Sequence, residues 1–141
     1  MPFSYLDTPI SIGEHIRKKR MELKLLQKDV AKICGVCEDS ITNWEMNKSV
    51  PQVQFFPRII KFLGYLPIEV DMTTLPGRLK AYRYFNGLSQ KQMGKILSVD
   101  GATICSWELE EHQPHKEMLK KLDAMLATER SLNALNLIDG E

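Results

Sequence analysis

Apolar positions along the chain recur at intervals of three and four, the spacing that lines one face of an α-helix. Ile16, Arg20 and Leu23 share one stripe of a first predicted helix over about residues 13–24, and an arginine on that inward stripe needs a partner. A second predicted helix covers about residues 27–34 with Val30, Ala31 and Ile33 turned inward, and Gly35 of "CGVC" supplies the turn at its end. A third covers about residues 38–46 with Ile41 and Trp44 at i, i+3 facing the core; after "NKSVP" a fourth carries Phe55, Phe56, Ile59, Ile60, Phe62 and Leu63. The order then repeats: Leu79 and Arg83, then Met93, Gly94 and Ile96, then Ile104 and Trp107, then Pro114 and the Leu119, Leu122, Met125, Leu126 stripe. No stretch alternates as a strand would, so the predicted class is all-α.

The repetition extends to residue identity. "LLQKDVAKICGVCEDSITNWE" (25–45) and "LSQKQMGKILSVDGATICSWE" (88–108) align without gaps at an offset of 63 and agree at Leu25/Leu88, Gln27/Gln90, Lys28/Lys91, Lys32/Lys95, Ile33/Ile96, Val36/Val99, Ile41/Ile104, Trp44/Trp107 and Glu45/Glu108. Average residue usage would give roughly one or two agreements. The chain therefore reads as a duplicated unit. Residues 13–66 form the first domain, 67–75 a linker punctuated by Pro67 and Pro76, 76–127 the second domain, and 128–141 a tail in which Leu132, Leu135 and Leu137 belong to a frayed terminus.

With 43% hydrophobic and 26% charged residues, the composition is that of a globular protein. The apolar runs are far shorter than the roughly eighteen residues a membrane span needs, and "MPFSYLDTPIS" lacks the pattern of a secretory signal, so a cytoplasmic protein is expected. The net charge of +1 hides a partition: residues 13–66 hold ten Lys/Arg and six Asp/Glu, residues 76–127 eight and six, and the remainder one and six. The positive charge lies on the repeats, most densely in "RKKR" at Arg17 to Arg20.

A helix, "L-x-Q-x-x-hydrophobic-small", a Gly-Val or Ser-Val turn, "S/T-I-x-x-W-E", a loop ending in proline and a further apolar helix together resemble the Xre/Cro-type, lambda-repressor-like helix-turn-helix of phage repressors and bacterial regulators. The resemblance covers residues 13–66 and again 76–126. It implies two tandem bundles of four to five helices each, and sequence-specific binding of double-stranded DNA by the third helix in the major groove. By resemblance, Arg20 pairs with Glu45 and Arg83 with Glu108, fixing the angle between first and third helices. Mapped onto this chain, the groove-facing positions are Glu38, Asp39, Ser40, Thr42 and Asn43 in the first copy, and Gly101, Ala102, Thr103, Cys105 and Ser106 in the second. Gln27 and Lys28, with Gln90 and Lys91, open the second helices, where an amide and free backbone N–H groups can hold a phosphate. Asn43 can pair with adenine, and Ala102 can touch a thymine methyl. The loop after the third helix offers Asn47, Lys48 and Ser49 in the first copy, but Glu110 and Glu111 in the second.

Cys34 and Cys37 have C-x-x-C spacing, and His112 and His115 have H-x-x-H spacing with Cys105 before them, as half-sites for zinc do. The alignment gives them other roles. Cys34 matches the core position Leu97, and Cys37 matches Asp100 at a helix N-cap, where a thiol can stand in for serine. No metal, cofactor or small-molecule ligand is expected. No phosphate loop or nucleophile motif suggests an enzyme. The function class is a DNA-binding transcriptional regulator; the alternative is a helical interaction module or antitoxin-like partner, for which Glu38, Asp39, Glu110 and Glu111 argue. Two tethered copies can engage two unlike half-sites as a monomer, whereas the competing arrangement uses one copy for DNA and the other for a homodimer. Limited proteolysis checks the domain boundary: cleavage is expected first within residues 64–76, and cuts inside either bundle would count against it.

Overall fold

In the computed structural model of the chain, residues 11–126 are described. They form α1 (Ile12–Glu22), α2 (Gln27–Cys34), α3 (Glu38–Glu45), a 3₁₀ turn (Val53–Phe55), α4 (Phe56–Leu63), α5 (Leu75–Asn86), α6 (Gln90–Leu97), α7 (Gly101–Glu108) and a last helix, α8, over residues 116–126. There is no strand among the described residues, and no helix there is long and apolar enough to cross a membrane. The chain divides into two compact units, Met1–Ile68 and Glu69–Glu141. The tail 128–141, with its leucines, lies outside the described residues.

In the first unit Ile16, Val30, Ala31, Cys34, Ile41, Trp44, Ile59 and Leu63 bury together. The second unit's core is Leu79, Met93, Leu97, Ile104, Trp107, Leu122 and Leu126. Each of these seven stands 63 positions after a member of the first set, and buried Gly94 stands opposite Ala31. The two cores thus fall on one register.

Three apolar residues expected inside are outside. Ile33 and Ile96 are 44% and 49% exposed, while Cys34 and Leu97 are buried. The reason is angular: α2 and α6 are only two turns long, and their buried stripe runs through i, i+1 and i+4 from Val30 and from Met93. The residue just before that i+4 position is rotated off the stripe. Leu23 is the C-cap of α1, beyond its last turn, and is 50% exposed.

Helix ends follow from local chemistry. Ser11 accepts from the Glu14 N–H at 3.1 Å to start α1, and Ser89 and Gln92 form a reciprocal capping box on α6 at 3.1 and 2.8 Å. On α2 only half of such a box exists, because Leu26 has no side-chain acceptor; its N–H donates to Asp29 at 2.9 Å. Cys37 is the N-cap of α3, and its thiol lies 3.3 Å from the Ser40 hydroxyl. Gly35 closes α2 at φ 73°, a left-handed conformation that glycine adopts without a Cβ penalty.

Two close approaches set the angles between helices. A Cβ on Gly94 would stand 2.5 Å from the Val99 carbonyl oxygen, so the α6–α7 turn seats directly on that helix. A Cβ on Gly13 would stand 1.7 Å from the Trp44 carbonyl oxygen and 3.2 Å from the Glu45 Cα, so α1 touches the backbone of α3 there. Replacing Gly13 with alanine must therefore shift α3. The expected loss is about 1–3 kcal/mol, as for other overpacked sites, read as a lower urea midpoint for the first unit.

Candidate nucleic-acid interface

In each unit an arginine–glutamate pair with one buried and one half-buried partner holds the third helix. Arg20 Nε donates to Glu45 Oε2 at 2.7 Å and Nη2 to Oε1 at 2.9 Å, a two-pronged contact. Its Nη1 donates to the Leu25 carbonyl at 3.1 Å. Arg83 repeats the pattern, with Nη2 donating to Glu108 Oε1 at 2.9 Å and Nη1 to the Leu88 carbonyl at 3.0 Å. One guanidinium thus joins α1 to α3 and to the turn before α2, and another does the same for α5, α7 and the turn before α6. The Glu45 side chain is only 4% exposed and that of Arg20 17%. Hydrogen bonding to Glu45 raises the Arg20 pKa above its already high ordinary value, against the opposing effect of burial.

The glutamines that open α2 and α6 are drawn into these networks. Gln27 Nε2 donates to Glu45 Oε1 at 3.1 Å, and its Oε1 accepts from the Thr42 hydroxyl at 2.8 Å. Gln90 Nε2 donates to Glu108 Oε1 at 3.3 Å. Both amides, expected to face a phosphate or base, are bonded to their own unit. Thr42 is likewise half-buried, also donating to the Glu38 carbonyl at 3.2 Å. Cys105 replaces this threonine in the second unit, so the chain of bonds stops at Gln90 there. Sequence reasoning missed the coupling; the only signal was that Gln27 and Glu45 recur together 63 positions later.

On the outer face of α3, Glu38, Asp39 and Asn43 are exposed and Ser40 is half-buried. The two acids occupy the first turn, where they complement the positive end of the helix dipole. Lys28 is exposed at the start of α2. After α3 the chain folds back. Asn47 takes a left-handed φ of 60°, and the Lys48 N–H donates to the Asn43 carbonyl at 2.9 Å, which leaves Asn47, Lys48 and Ser49 exposed beside Asn43.

The second unit has the same backbone with different chemistry. Glu110 takes φ 63°, and the Glu111 N–H donates to the Ser106 carbonyl at 2.9 Å. Two exposed carboxylates therefore stand where the first unit has an amide and an ammonium group. Lys91 and Ala102 are exposed, while Gly101, Thr103, Cys105 and Ser106 are half-buried. Gly101 lies close on α6, where a Cβ would come within 3.0 Å of the Lys91 Cα.

The cysteines differ in chemistry. Burial pushes the Cys34 thiol up to about 11, whereas the Ser40 hydroxyl lowers the pKa of exposed Cys37. Among the described residues no three His, Cys, Asp or Glu side chains gather as a metal site requires.

Residues 16–70 match a family model described as helix-turn-helix, a family of DNA-binding domains. No curated protein and no solved structure matches the chain. The matched stretch spans α2 and α3 of the first unit and the turn at Gly35 between them.

Glu45→Gln would leave the Arg20 guanidinium against a neutral amide in a buried site. The expected loss is about 3 kcal/mol, measured as a fall in the first unit's melting temperature by calorimetry. A change below about 0.5 kcal/mol would place the pair with ordinary surface ion pairs.

Proposed function

We propose that the protein is a cytoplasmic, sequence-specific DNA-binding transcriptional regulator that reads the major groove with α3 of its first unit. The observation that carries this reading is the surface around α3. Lys28 at the start of one helix and Asn47 and Lys48 beyond the end of the other bracket the exposed Asn43, so cationic and amide groups suited to phosphates flank a side chain suited to a base edge. Glu38 and Asp39 restrict what α3 accepts. A carboxylate there repels phosphate but can accept from cytosine N4. The site residues on this reading are Lys28, Glu38, Asp39, Ser40, Asn43 and Lys48, with the Gln27 side chain acting through Glu45 and Thr42 rather than on DNA, and its backbone N–H left at the helix start for a phosphate.

A second reading lets both units grip one duplex. It is favoured by the second unit's matching core register and by its own Arg83–Glu108–Gln90 network, which support a second copy of the domain. On that reading Lys91, Ala102, Thr103 and Ser106 face a second, unlike half-site. Gel shifts of the full chain test both. DNA binding should weaken steeply between low and high salt, and Asn43→Ala should cost about 1–3 kcal/mol and relax preference at one position. Ser106→Ala should leave affinity unchanged if only the first unit reads. A shift in preference at the other half of the site would establish the tandem mode, and salt-independent or absent binding would favour the interaction-module reading.

A further inference from the structure

The second unit has an apolar cleft that DNA reading does not use. It encloses about 290 Å³ between Leu75 and Leu79 of α5, Trp107 at the end of α7, Pro114 of the following loop and Leu119 of α8, and its polar lining is Glu110, His112 and Gln113. The first unit has a cleft at the same register, about 340 Å³, but there the chain's own Pro67 and Ile68, four and five residues after α4, form part of the wall, and Pro67 is buried. Sixty-three positions later the sequence has Arg130 and Ser131, so the second copy supplies no apolar pair at that register.

The rim adds charge, at a conformational cost. Glu110 holds a left-handed φ of 63° where the first unit has Asn47, a residue that tolerates this conformation better. Exposed Glu111 follows it. An apolar slot bearing carboxylates calls for an apolar segment bearing cations.

Such a segment stands on the first unit. The end of α1 and the turn into α2 expose Met21 (58%), Leu23 (50%) and Leu26 (58%), interleaved with exposed Lys24 and Lys28 and one exposed acid, Glu22, so that the segment stays net positive. We propose that the acid-rimmed cleft of the second unit docks this basic, apolar turn, residues 21–28, of a second copy of the chain. The slot has room for one or two aliphatic side chains, and the carboxylates of Glu110 and Glu111 face the ammonium groups that flank them. Lys28 is shared with the DNA face, so self-association and DNA binding compete for the same turn.

Sedimentation velocity of the full chain without DNA tests this. Reversible self-association is expected in the range of about 1–100 μM, weakening as salt rises. Glu110→Asn removes the rim charge while relieving the backbone, so it should retain or raise the melting temperature yet weaken association about tenfold. Lys24→Glu and Glu110→Lys should each weaken association, and the two together should restore it. A chain that stays monomeric throughout, an association indifferent to Glu110→Asn, or a double variant as weak as the singles overturns the proposal. So does a monomer that associates only once residues 132–141 are removed, because the cleft would then belong to the chain's own tail.

Discussion

A buried carboxylate and a half-buried guanidinium, meeting through two parallel hydrogen bonds, fix where α3 stands. Neither partner is favourable inside a small helical bundle alone, since removing a charge from water costs several kcal/mol. The geometry offsets that cost. Arg20 spends its remaining reach on the Leu25 carbonyl, and Glu45 also accepts from Gln27. Gln27 in turn accepts from Thr42, a residue of α3 itself. The orientation of α3 is therefore set by directional bonds at its inner end, while Ile41 and Trp44 supply non-directional adhesion.

The same frame in the second unit carries a different surface. Backbone hydrogen bonds hold Lys48 and Glu111 at matching places after their helices, yet one residue is a cation and the other an anion. Electrostatics near a polyanion depend on such single positions far more than on the fold beneath them. The two units share core register and differ in surface charge, and the surface is where a difference in role between them would be written.

Much of the frame was legible in the residues. The offset of 63 positions and the inward Ile16, Ile41 and Trp44 can be read from spacing and recurrence, because each depends on helical periodicity alone, whereas the arginine–glutamate partners come from the resemblance. The outer face was less legible. Gln27 and Gln90 look like free amides at helix starts, and only three-dimensional proximity turns them toward Glu45 and Glu108. Ile33 and Ile96 fooled a hydrophobicity count, since a two-turn helix has room for one buried stripe and these residues stand one position off it.

The methyl group that distinguishes Ala31 from Gly94 has a consequence for how the chain assembles. Two halves with a common core register in one chain invite exchange, in which α2 seeks the place of α6 beside α7. The α6–α7 turn tolerates no Cβ at its seat, because the Val99 carbonyl would lie 2.5 Å away. An interloping α2 brings exactly that methyl, together with a cysteine too small for the space Leu97 fills. A hybrid would therefore carry one steric clash and one void, and both disfavour it against pairing within each half.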